Sequence, residues 1–149
     1  MLTRYSVGGR GAAPSAGGDP HAVLWNASTT KQIYVLELSI ENFTATTLAT
    51  VAIQRTSTKG TPGSTVTPDI DNDRDRAVAP VSSVVLDLAD FTVVPTFQGP
   101  RMSRWVVPSD GGALGVVFNT PIAVPQTTGL MVEVVSGLAA IETTWVWEE

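Results

Sequence analysis

The chain has no cysteine, a single histidine and only two lysines. Without cysteine, disulfides, thiolate nucleophiles, iron–sulfur clusters and Cys-ligated zinc are excluded, so stability has to come from packing or assembly. With His21 alone, a histidine-rich metal site is excluded by count. A Ser-His-Asp triad would depend on that one residue, which stands in no recognisable nucleophile motif. Nine basic residues against fourteen acidic ones leave a net charge of −5, with no basic run. A phosphate-binding surface needs clustered Lys and Arg, so no nucleic-acid partner is expected. No apolar run approaches the roughly 20 residues that span a bilayer. The first twenty residues lack the apolar segment of a secretory signal. The expectation is a soluble protein with no membrane partner, made in the cytoplasm without an export sequence.

What is present is β-structure. In "KQIYVLELSIENF", period two sets Tyr34, Leu36, Leu38 and Ile40 on one face and Ile33, Val35, Glu37, Ser39 and Glu41 on the other. "TTLATVAIQRTS", rich in Thr and β-branched residues, reads as its antiparallel partner. After the polar connection of residues 56–80 come "SSVVLDLADF", "RMSRWVVP", "GALGVVFN", "TGLMVEVVSG" and "IETTWVWEE". These are short strands separated by Gly, Pro, Asp and Asn, and no segment has a sustained 3.6-residue repeat with caps. The fold class is all-β, a sandwich or barrel. Gly, Pro, Ala and Ser dominate residues 6–20, so residues 1–20 read as an extended or flexible N-terminal arm, with a short strand at Leu2–Val7. Residues 21–149 form the single compact domain.

The most charged stretch is "TPDIDNDRDRAV", where Asp69, Asp71, Asp73 and Asp75 alternate and Arg74 and Arg76 intervene. An EF-hand loop needs Gly at position 6 and Glu at position 12. Counted from Asp69 those positions hold Arg74 and Pro80; counted from Asp71 they hold Arg76 and Ser82. Both registers fail, and the arginines repel a dication. The stretch is read as a solvated contact loop, not a metal site. "GGRGAAPSAGG" lacks the GxxxxGK[ST] pattern, so phosphate cradling is unsupported. Asn26-Ala27-Ser28 and Asn42-Phe43-Thr44 match the glycosylation triplet, a short pattern that arises by chance. Trp145 and Trp147 share one face of the last strand, while Trp25 and Trp105 sit on others. Such a face fills a core or stacks against sugars or a partner, with core filling the commoner use of large aromatics. No residue is assigned a catalytic, cofactor-binding or metal-binding role, no cofactor is expected, and the chain is read as a non-enzyme.

Several phrases follow one another in a telling order: "LWNASTTKQIYVLELSI", "RTSTKGTPGSTVTPDIDN", "APVSSVVLDLADFTVVPT", "RWVVPSDGGALGVVF", "IAVPQTTGLMVEV" and "TTWVWEE". Over residues 21–149 the chain resembles the small jelly-roll capsid decoration, or cement, proteins of tailed bacteriophages. The resemblance implies an antiparallel β-sandwich of jelly-roll type that binds the outer surface of the phage head. It also implies that the protein bridges subunits of the major capsid protein and assembles as a homo-oligomer, a trimer or dimer. In that reading the arm, through Leu2, Arg4, Tyr5 and Arg10, reaches a neighbouring subunit or the capsid floor. The aspartate loop sets register against a basic patch. The alternatives are a carbohydrate- or receptor-binding β-sandwich using Trp145 and Trp147, or a tail or baseplate adaptor. Burial of the two tryptophans discriminates between the first two readings.

Overall fold

Short β-branched runs broken by Gly, Pro and Asn have one way to satisfy their backbone groups, which is pairing with one another. The computed structural model describes residues 2–70 and 82–149. Among them are eleven strands: β1 Arg4–Arg10, β2 Pro20–Asn26, β3 Ile33–Asn42, β4 Ala49–Thr56, β5 Ser64–Val66, β6 Asp69–Ile70, β7 Val84–Leu88, β8 Phe97–Val107, β9 Gly112–Val124, β10 Thr128–Ser136 and β11 Ile141–Glu148. They form two antiparallel sheets, a five-stranded one in the order β6-β1-β11-β3-β9 and a six-stranded one in the order β5-β7-β2-β10-β4-β8. One apolar cluster joins them: Tyr5, Leu38, Ile40, Trp145 and Trp147 come from the first sheet, and Leu24, Val51, Ile53, Leu86, Leu130 and Val132 from the second. The molecule is therefore all-β and sandwich-like.

Three expectations change. Residues 4–10 are not an arm outside the sandwich. They form β1, paired residue for residue with β11 from Arg4↔Glu148 to Arg10↔Glu142. Two further bonds between Thr3 and Glu149 continue the ladder. The short strand expected at Leu2–Val7 is this strand, extended through the glycines to Arg10, and its inward residues are Tyr5 and Val7 (2% and 5% exposed). Second, β4 does not pair with β3. The strands lie in opposite sheets, β3 between β11 and β9 and β4 between β10 and β8, because residues 43–48 cross from one sheet to the other instead of making a hairpin. Third, the period-two reading of β3 breaks at Leu36. That residue is extra relative to β11, where Val146 faces Glu37 and Trp147 faces Val35. The bulge swaps faces, so Ile33 and Val35 point inward together with Leu38 and Ile40.

β2 is buried along its whole length. Ala22 and Leu24 face the shared core. Val23 and Trp25, on the opposite side, join Met131, Ala89, Phe91 and Val85 in a second, small cluster outside the six-stranded sheet. Residues 89–96 cover that cluster and are tied down by Thr61, whose N–H donates to the Val93 carbonyl at 2.8 Å and whose carbonyl accepts from Thr92 N–H at 2.9 Å.

The two glycosylation-like triplets turn out to be one structural device used twice. At the end of β2, Asn26 Oδ1 accepts from Ser28 N–H at 3.1 Å. Its amide donates to Lys31 O at 2.9 Å and to Val124 O, on β9 of the other sheet, at 3.2 Å. At the end of β3, Asn42 Oδ1 accepts from Thr44 N–H at 2.9 Å. Its amide donates to Thr47 O at 2.8 Å and to Val107 O, on β8 of the other sheet, at 3.4 Å. The parallel extends to the facing turns. Thr127 N–H donates to Ser28 O and Asp110 N–H to Thr44 O, and both donors have positive φ, 50° and 59°. The sequence repeats accordingly, with Val124-Pro125 and Val107-Pro108 each three residues before the positive-φ residue. Both asparagines are fully buried, so each Asx turn with its cross-sheet amide bonds fixes one corner of the sandwich.

Candidate interaction surface

The proposed contact residues of the first ten positions are mostly engaged within the chain. Tyr5 stacks on Trp147 in the core, ring centroids 5.7 Å apart. Arg4 and Arg10 lie on the outer face of the five-stranded sheet, opposite carboxylates of β11. Arg4 Nη2 is 3.6 Å from Glu148 and Arg10 Nε is 3.7 Å from Glu142. Arg10 also sits over the Phe43 ring, 3.4 Å from its centroid. Exposed pairs of this kind add about 0–1 kcal/mol each, so both cations can still exchange partners. Leu2, 54% exposed, lies beyond β1 and is open to a neighbour.

Of the aspartate stretch, Asp69 lies in β6, whose backbone pairs with Ser6 of β1. Asp71, Asp73, Arg74, Asp75 and Arg76 fall outside the described residues. β6 and β5 are the edge strands on one side of the sandwich, and both are short: two residues for β6, three for β5.

Trp145 and Trp147 are fully buried, and Trp145 Nε1 donates to Thr143 Oγ1 at 3.2 Å. They are core residues and offer no stacking platform. Trp25 belongs to the outer cluster, and Trp105 is half-buried against the core. Among the described residues no group of three or more His, Asp or Glu gathers to hold a metal.

His21 is fully buried where β1, β2 and β11 meet. Ile141 N–H donates to its Nε2 at 3.1 Å, which leaves the proton of the neutral ring on Nδ1. Gly11 packs so closely that a Cβ there would lie 2.9 Å from His21 Cε1. Burial pushes the imidazole down to about 4, against a smaller opposing effect of the Gly11 backbone. The folded protein thus binds the proton more weakly than the unfolded chain does. Stability should fall as pH drops from about 6.5 towards 4, by up to about 1.4 kcal/mol per pH unit and on the order of 3 kcal/mol in all. Urea midpoints measured against pH for wild type and His21→Gln check this: the variant should have a flatter profile between pH 4 and 6.5, and parallel profiles would refute it.

The opposite side of the sandwich differs in kind. There the edge strands are β8, with eleven residues, and β9, with thirteen, one in each sheet and, among the described residues, each paired on one side only. β8 is fastened at its bulge: Gln54 Nε2 donates to Gly99 O at 2.6 Å, and Arg101 pairs with the fully buried Glu133. β9 carries no charged residue. Exposed apolar side chains gather on these strands, Val117 (69%) and Val106 (59%) foremost, with Met102 and Phe97. Sequence reasoning passed over this side, although its signal was present: no charge occurs between Asp110 and Glu133. Comparison with family models, curated proteins and solved structures gives no match for the chain.

Proposed function

We propose that the chain is a structural subunit of a tailed-phage virion, a decoration protein on the outside of the head that bridges major capsid protein subunits. The observation that carries this reading is the strand order. With β5, β6 and β7 set aside as an insertion, eight strands remain in the orders β1-β11-β3-β9 and β2-β10-β4-β8. Consecutive strands then alternate sheets through β4, and again from β8 to β11. First pairs with last and second with last but one, as in a jelly roll, an architecture common among viral capsid proteins. In this reading β1 is the first jelly-roll strand. The contacts of the N-terminal segment then reduce to Leu2, to the exposed cations Arg4 and Arg10 on the outer face, and to the link of residues 11–19 between the sheets. The order agrees with the resemblance read from residues 21–149, and the burial of Trp145 and Trp147 removes the residues named for a sugar-binding alternative.

The protein works through surface. A subunit seated across a capsomer boundary holds neighbours together against internal DNA pressure, and many copies on a lattice turn weak contacts into firm retention. Mixed with heads lacking it and with isolated tails, the protein should sediment with the heads and raise the temperature at which they lose DNA. Sedimentation with tails alone would replace this reading by a tail or baseplate adaptor.

A further inference from the structure

We infer that β9 is the self-association edge of this protein, pairing antiparallel with β9 of a second copy about a twofold axis at Gly115. The inference deepens the proposed assembly, resting on it only for the biological use of the dimer.

A long edge strand leaves alternate N–H and C=O groups unpaired, and proteins usually blunt such edges with charge, proline, bulges or brevity. Among the edges described, β5 and β6 are short. β8 carries Arg101 and Arg104, and its Gly99–Met102 bulge is bonded back over its own sheet. β9 has a bulge with Pro121 only in its second half. From Gly112 to Val117 it runs in unbroken register with Asn42 to Glu37, and its outer edge is without a partner among the described residues.

The occupant follows from charge and symmetry. Each copy carries a net charge of −5, so two copies approach at least cost along a strand that has no charge. A twofold antiparallel pairing is self-complementary, and it keeps outer face beside outer face only when centred on a residue opposite itself. Centred on Gly115, it sets Ala113 opposite the second copy's Val117 and Leu114 opposite the second copy's Val116, all before the bulge. It covers the most exposed of the large apolar side chains. A Cβ at Gly115 would meet nothing within 4 Å, and its φ is not in the left-handed region. The position accepts a side chain in the single subunit, and at the axis it sets two copies of that side chain opposite each other, where like charges repel and opposite charges attract.

Sedimentation equilibrium from about 1 to 200 µM, the range suited to a small interface, tests the pairing. Wild type should move from the 15.7 kDa of one chain to twice that mass. Gly115→Lys and Gly115→Glu should each stay at one chain, an equimolar mixture of the two should recover the double mass, and Thr144→Lys, two strands inward, should behave as wild type. Amide exchange of wild-type Ala113–Val117 should slow as concentration rises, a readout that needs no variant to fold. A wild type of constant single mass, a trimer, masses unchanged by the Gly115 variants, or exchange independent of concentration would overturn the pairing. Head binding by a protein that stays monomeric would overturn the pairing alone. A β9 dimer that ignores heads leaves the pairing standing and removes the decoration reading.

Discussion

Removing residues 1–10 is expected to leave a chain that does not fold, rather than a sandwich that has lost an accessory arm. β1 closes the five-stranded sheet against β11 over its entire length and separates β11 from β6. Its loss strips Tyr5 from the face of Trp147 and Val7 from the core. Burying two such side chains contributes about 1.5–3 kcal/mol each. The deletion also exposes the edge of β11 and its tryptophan-bearing face. A domain of this size is stable by only about 5–15 kcal/mol, so losing these contacts together with the ladder approaches the whole margin. Near-ultraviolet circular dichroism reports it through Trp145 and Trp147, whose fixed environment should vanish in the truncated chain. Tyr5→Ala gives the graded version, an expected loss of about 3–5 kcal/mol in urea unfolding, as for other large aromatic truncations in cores. A truncated chain with an intact near-ultraviolet signal would show that β1 is dispensable.

Replacing either corner asparagine should be nearly as damaging, although no apolar area is lost. Asn42→Ala leaves Thr44 N–H without its acceptor and two carbonyls, Thr47 and Val107, without their donor. Asn26→Ala does the same to Ser28 N–H and to the carbonyls of Lys31, Val124 and Pro125. Each buried group left unpaired costs about 1–3 kcal/mol, and partial repair by water brings the expected total to about 3–4 kcal/mol per site. Asn→Asp is the sharper probe. It keeps the Asx-turn acceptor, removes the amide's donors to the local and the cross-sheet carbonyls alike, and buries a carboxylate against those oxygens, so it should cost at least as much as alanine. Urea midpoints of the four single variants check both statements, and changes below about 0.5 kcal/mol, the range of ordinary surface substitutions, would refute the role.

The asparagines also show what a sequence pattern can and cannot say. N-x-[ST] is visible in the chain twice, but its meaning depends on the Val-Pro turns at residues 107–110 and 124–127, which lie 60 to 100 positions away. Only folding brings those carbonyls to the amides. The bulge at Leu36 is similar: local alternation looks regular, and the extra residue is defined only by what β11 places opposite it. The pairing of β3 was misjudged because neighbouring strands in sequence usually pair, whereas here the Asn42 corner sends β4 to the other sheet. The N-terminal strand was legible as a short run at Leu2–Val7, but its extent to Arg10 and its place in the sheet were not, since its glycines and serine face outward or pack closely and only Tyr5 and Val7 supply burial.

Composition, the period-two runs and the spacing of Gly, Pro and Asn were enough to determine an all-β chain without thiol or histidine-cluster chemistry, and to locate most strands, because alternation and turn chemistry are local properties. Which strands pair, whether Trp145 and Trp147 face inward, and which sides of the sandwich carry short or long edges were decided only by the tertiary structure. Pairing and burial depend on residues far apart in the chain, and a strand becomes an edge only through the neighbour it lacks.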